Sequence, residues 1–143
     1  MTDADRAAEA VTGTAGHDDA PSARPAARDN GDVVELGTKT PLRLDSGLEL
    51  GPFTMAYRTY GALNASRTNA ILVCHALTGD QHPLDPPLTT RAGWWEHMVG
   101  PGRPLDTNQY YVICANCLGG CSGTEGPKEI NRETGEPWGL SFP

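Results

Sequence analysis

Residues 69–80 read NAILVCHALTGD, and the conformation of this stretch decides what fold the chain can build. Ala70 to Cys74 is a continuous apolar run, the pattern of a strand covered on both faces. The run stops at His75 and enters small residues that include Gly79. A strand closing on a glycine turn is common. On spacing alone His75 reads equally well as a functional residue and as a capped strand end.

Working outward, the next segment is DQHPLDPPLTTRAGWWEHMVGPGRPLDTNQ at 80–109, in which only Gly93 to Met98 has the look of a short helical turn. A connection this long with so little regular structure is usually functional. YYVICA at 110–115 predicts a second buried strand, which opens into the glycine-rich stretch CANCLGGCSGTEG at 114–126. The remainder, to Pro143, is turn-rich and contains no strong helix. On the other side, Leu42 and Leu44, a Ser46-Gly47 turn, Leu48 and Leu50, and then FTMAYRTYG at 53–61 alternate between turn residues. That period of two predicts strands in an antiparallel hairpin or meander. A polar stretch from Asn64 to Asn69 follows. Residues 1–31 hold only Val11 as a large aliphatic beyond Met1 and cannot bury enough surface to offset their ordering entropy. They read as a disordered arm, with a short Ala-driven helix over Ala4 to Ala10 as the alternative.

Two buried-type strands call for helices on both faces of their sheet, yet almost no amphipathic helix is available to cover them. The pattern therefore fits part of a larger domain better than a complete one.

The 143 residues suffice for one domain with a hydrophobic core. A formal charge of −7 argues against a nucleic-acid binder, which needs a basic stripe to neutralise phosphates. Four cysteines allow two disulfides, but the opening MTDADRAAEAVTG has acids where an export signal carries bases, and it lacks an apolar core segment. A reducing, cytoplasmic setting is expected. No run approaches the roughly 18 apolar residues of a membrane span.

Residues 114–126 raise two chemical possibilities. Cys114, Cys117 and Cys121 follow C-x2-C-x3-C, a spacing used for zinc or iron–sulfur clusters. The fourth candidate ligand, Cys74, belongs to the apolar strand, and Cys114 alternates within YYVICA as a small buried hydrophobe, so no metal is expected. Ser122 stands in Gly120-Cys121-Ser122-Gly123-Thr124, one residue short of the G-x-S-x-G nucleophile elbow. Glu125-Gly126-Pro127 then breaks the helix that such an elbow requires.

Several blocks in order carry a family likeness. RTYGALN at 58–64, NAILVCHALTGD, GWWEHMVGPGRPLDT at 93–107, YYVICANCLGGCSGTEGP at 110–127 and INRETGEPWGLSFP at 130–143 resemble successive segments of homoserine O-acetyltransferase, an acyltransferase of the α/β-hydrolase fold. The likeness runs from about residue 40 to the end. It implies an α/β-hydrolase fold that is incomplete here: residues 32–143 form the N-terminal part, with the nucleophile elbow and the covering helices absent. It also implies acetyl transfer from acetyl-CoA, as co-substrate, to L-homoserine in methionine biosynthesis, by a ping-pong route through an acyl-serine.

By the same resemblance the catalytic Ser, Asp and His lie beyond Pro143, and a fragment without them is expected to be inactive alone. The backbone N–H of Leu77 becomes an oxyanion-hole donor, with Thr78 and Gly79 lining the same turn and the acyl pocket. Asn116 and Gly120 fall where substrate is expected; the alternative is that they are simple turn-formers. No cofactor is implied, and neither nucleic acid nor membrane is an expected partner, whereas a homodimer is expected at full length. Within enzymes the alternatives are a succinyl donor, a serine acceptor or a serine esterase of the same fold. From another class, a non-catalytic binding module and a cysteine-ligated metal protein stay open.

Overall fold

The computed structural model describes residues 31–84 and 92–143. The expected disordered arm, up to residue 30, and the alternative helix over Ala4 to Ala10 lie outside the described residues. Eight strands occur among those described: β1 (Asp32–Leu36), β2 (Leu42–Arg43), β3 (Glu49–Leu50), β4 (Phe53–Tyr60), β5 (Ala70–Val73), β6 (Val99–Gly100), β7 (Leu105–Asp106) and β8 (Tyr111–Ala115). Four of them form one sheet in the order β1-β4-β8-β5, so β1 and β5 are its edges.

The leucine alternation at 42–50 becomes the β2–β3 hairpin, with Leu42 opposite Leu50. Gly47 turns the chain at φ 86°, a left-handed conformation that glycine adopts without penalty. FTMAYRTY becomes the long strand β4, antiparallel to β1 on one side and to β8 on the other. The apolar run at Ala70 becomes β5, which pairs in parallel with β8 from Ala70 opposite Tyr111 to Val73 opposite Cys114. Parallel neighbours cannot be joined by a tight turn. The long stretch between them is the crossover that this pairing demands.

The crossover also supplies half of the core. Val73, Val112 and Cys114 on one face of the sheet pack with Val99 of β6, and Tyr60, Ile71, Leu84, Trp94, Trp95 and Leu105 close around them. The rings of Trp94 and Trp95 stack with centroids 5.6 Å apart. The helical pattern expected over Gly93 to Met98 is realised as a single turn, in which the N–H groups of Met98 and Val99 both donate to the Trp95 carbonyl.

The expectation that β5 is covered on both faces is not met. Ile71 and Val73 face the crossover, whereas Leu72, on the opposite face, is 66% exposed. Val34, Met55, Tyr57, Leu72, Ile113 and Ala115 line a shallow apolar groove of about 320 Å³ along that second face. An apolar run within a strand reports how much surface the sequence wants buried, and here the described residues bury only one side of it.

The open face yields an expected outcome for the 143-residue chain taken alone. Unpaired edges beside an uncovered apolar face favour self-association, so the chain should scatter light, bind hydrophobic dyes and lack a cooperative thermal transition. Leu72→Lys combined with Ile113→Glu should cut dye binding several-fold without changing the far-ultraviolet circular dichroism. A soluble monomer with a sharp thermal transition would count against this account.

Candidate functional site

Strands β5 and β8 run in the same direction, so the loops leaving their C-terminal ends emerge side by side: residues 74–84 and residues 116–126. This is the position at which open α/β sheets gather ligands.

The first loop turns immediately. Gly79 N–H donates to the carbonyl of Ala76 at 2.8 Å, placing Leu77 and Thr78 at the two central positions of a tight turn. Among the described residues, the N–H groups of Leu77 and Thr78 have no hydrogen-bond partner. The side chain of Leu77 is fully exposed. The His75 ring sits at the base of the turn, with Nδ1 2.8 Å from the Ala76 carbonyl and Nε2 3.1 Å from the Cys117 N–H of the second loop. A carbonyl can only accept and an N–H can only donate, so these partners assign the proton to Nδ1.

Below the turn the loop dives inward. Gln81 and His82 are buried, and Gln81 Nε2 donates to the Ser122 carbonyl at 2.8 Å, a second tie between the loops. Asp80 accepts from the His82 N–H, lies 3.3 Å from the His82 ring, and has its own carbonyl bonded by the Trp94 indole. His82 beside a carboxylate looks like half of a catalytic dyad, but at 2% exposure no substrate reaches it.

The second loop is held from within. Thr124, fully buried, accepts the Ala56 N–H and donates to the Asn116 carbonyl, each at 3.0 Å. The neighbouring Glu125 carboxylate takes hydrogen bonds from the Thr54 hydroxyl, the Thr54 N–H and the Trp138 indole. Donors of this number satisfy a buried carboxylate. Asn116 is itself 2% exposed, and its Oδ1 lies so close beneath Gly120 that any side chain there would collide with it.

Of the residues expected from sequence, Leu77, Thr78 and Gly79 come together at one rim and Gly120 is half-buried in the facing loop. Asn116 is packed underneath instead of facing the opening. Ser122 contributes its carbonyl to Gln81, and residues 123–129, which follow it, form bends and turns with no helix. Sequence reasoning missed Asp80, Gln81, His82, Thr124 and Glu125. Polar side chains ordinarily lie at the surface, and nothing in one sequence marks these as buried.

The cysteines divide by burial. Cys74, Cys117 and Cys121 are exposed, whereas Cys114 is buried, and burial, reinforced by Asp80, Cys74 and Cys117, pushes its thiol up to about 12. Among the described residues no group of three or more His, Cys, Asp or Glu side chains is arranged to hold a metal ion.

Known proteins share both the sequence and the sheet. The homoserine O-acetyltransferase of Rhodospirillum rubrum is 67% identical over 111 residues, a match spanning 77% of this chain and 28% of that protein. The homoserine O-acetyltransferase of Bradyrhizobium diazoefficiens is 59% identical over 112 residues, 78% of this chain and 28% of that protein. The crystal structure of homoserine O-acetyltransferase from Bacillus anthracis superposes with a TM-score of 0.70 at 35% identity, covering 78% of this chain and 31% of that one. Esterase E22 gives 0.69 at 30% identity, covering 78% and 32%. No family model matches the chain.

A parallel strand pair whose exit loops emerge side by side, superposing on such proteins, defines the class: this is α/β-hydrolase-fold sequence. Within that class, over the segment matched, the chain belongs to the homoserine O-acetyltransferase family. It spans 28% of the length of the curated relatives it matches.

Two measurements check the site's anchoring. In the full-length protein, Thr124→Val keeps the shape of the side chain but orphans a buried N–H and a buried carbonyl, and should lower stability by about 2 kcal/mol or more in urea unfolding, with Thr124→Ser costing about 1 kcal/mol or less. The raised Cys114 pKa leaves its thiol protonated near neutrality and therefore a poor nucleophile. Native alkylation should modify Cys114 only after denaturation; labelling at the rate of Cys117 would contradict its burial.

Proposed function

We propose that residues 32–143 are the N-terminal, oxyanion-loop part of an α/β-hydrolase domain in a full-length homoserine O-acetyltransferase. That enzyme transfers the acetyl group of acetyl-CoA to L-homoserine. The observation that carries this reading is the pair of unpartnered N–H groups, Leu77 and Thr78, on a tight turn at the exit of β5. Backbone N–H groups held in place before the reaction are what a developing oxyanion requires.

The reaction runs in two halves. A serine outside these residues attacks the acetyl carbonyl of acetyl-CoA, and negative charge gathers on the carbonyl oxygen. The Leu77 N–H donates to that oxygen together with the N–H that follows the nucleophile. The thiol of CoA leaves, and the acyl-serine is then attacked by the homoserine hydroxyl with the same donors in use. A histidine and a carboxylate, also outside these residues, move and steady the proton. Thr78 and Gly79 border the acyl group, Gly120 lets the facing loop approach it, and Asn116 supports Gly120 from beneath. Among the described residues no serine is hydrogen-bonded to a histidine, and both His75 ring nitrogens are engaged. The full-length enzyme is taken to be cytoplasmic and homodimeric.

A second reading has an observation of its own, the superposition on an esterase. There the acyl-serine is released by water in place of homoserine.

Steady-state kinetics of the full-length protein separate the two. Acetyl transfer to homoserine with parallel double-reciprocal lines supports the first; acetyl-ester hydrolysis that homoserine leaves unchanged supports the second. The 143-residue chain should show neither activity, and stoichiometric acetylation of Ser122 in it would refute the reading. Leu77→Pro, which deletes the donor, should lower kcat by about 100-fold or more.

A further inference from the structure

His75 does more than end a strand. Its Nδ1 lies 2.8 Å from the carbonyl oxygen of Ala76, which also receives the Gly79 N–H at 2.8 Å. That carbonyl and the Leu77 N–H belong to one peptide unit. The unit is trans, since among the described residues the cis peptide bond is Gly51–Pro52. A trans peptide is planar, with its C=O and N–H pointing in opposite directions. Two donors on the carbonyl therefore restrain the direction of the Leu77 N–H through the shared peptide plane.

The imidazole is fixed in turn. Cys117, at the start of the glycine-rich loop, donates its N–H to Nε2 at 3.1 Å, which keeps Nε2 an acceptor and puts the ring's one proton on Nδ1. The order of dependence runs from Cys117 N–H to the His75 tautomer, from Nδ1–H to the Ala76 carbonyl, and from that peptide plane to the Leu77 N–H.

We infer that His75 is a positioning residue that aims the Leu77 N–H, acting through the Ala76–Leu77 peptide plane and touching no substrate itself. The inference rests on the acyl-transfer reading for its catalytic meaning, while the holding of the peptide stands on the hydrogen bonds alone. A plain structural tie between the two loops is the competing role, and the two nitrogens separate them. Asn at position 75 carries an amide donor near the place of Nδ1 and can hold the Ala76 carbonyl, but it cannot reach Cys117. Gln can accept from Cys117 but leaves the Ala76 carbonyl without its side-chain donor.

The experiment uses the full-length protein with wild-type His75 and with His75→Ala, His75→Asn and His75→Gln. Amide hydrogen exchange is read by NMR at Gly79, which shares the Ala76 carbonyl, and at Cys117, with the β8 amides as a control for folding. Acetyl-transfer kcat and KM are measured in parallel. His75→Ala should speed exchange at both amides and lower kcat roughly 10- to 100-fold, a part of the 10²–10³ lost with a whole oxyanion donor. KM should change less than about threefold, because the donor acts on the developing charge. His75→Asn should keep Gly79 protected and kcat within about fivefold of wild type, with Cys117 released. His75→Gln should do the reverse.

Activity that follows Cys117 protection instead of Gly79 protection, or a Gly79 amide unaffected by His75→Ala, overturns the inference. If the exchange pattern appears in a wild-type protein with no acetyl transfer, the acyl-transfer reading fails and the holding of the Ala76–Leu77 peptide by His75 is upheld.

Discussion

The parallel pairing of β5 with β8 is the constraint on which the rest depends. It sets Val73 beside Cys114 and so brings the two strand exits together. Because parallel neighbours need a crossover, it also forces the chain between them to travel across one face of the sheet. The half-core and the two-loop site are consequences of that one pairing. Shifting β5 by a residue would turn Leu72 inward and Val73 outward, and it would move His75 away from Cys117.

The site itself is assembled from backbone groups fixed by polar side chains, most of them buried. Gln81 and His75 tie the first loop to the second, while Thr124 and Glu125 tie the second loop to β4. Such contacts are individually modest, and they range from the buried Thr124 bond to the exposed His75–Cys117 bond; a buried polar group left without its partner is costly. The loops are therefore irregular in outline and specified in detail. That combination suits the proposed role of presenting N–H groups in fixed directions without a helix to carry them.

Much of the sheet was legible in the sequence, and most of its surroundings were not. Strands β4, β5 and β8 announce themselves by alternation or by unbroken apolar runs, and the Ser46-Gly47 turn by its residues. Strands β6 and β7 are two residues each, too short for any periodicity to register. The apolar run at β5 asked for burial on both faces, of which the described residues supply one, and it could not reveal which residues supply that cover. At the site, the turn at Leu77 to Gly79 followed from position and family likeness. The roles of Gln81, Thr124 and Glu125 come from contacts with residues about 40 to 70 positions away, which local pattern does not encode. Asn116 follows β8 as its sequence position suggests, but its side chain packs beneath Gly120, a contact that sequence position alone does not encode.

The Trp94–Trp95 lid lies, in sequence, between the two strands it covers. Closing the chain from β5 to β8 therefore delivers the cover together with the pairing, and no second closure has to be made to seal that side. Loop-closure entropy grows only slowly with the number of residues enclosed, so a long crossover that carries its own aromatic cover adds little to the cost of joining its ends. The two faces of this sheet thus differ in topology as well as in exposure: one is sealed by local connectivity, and the other is left open by the described residues.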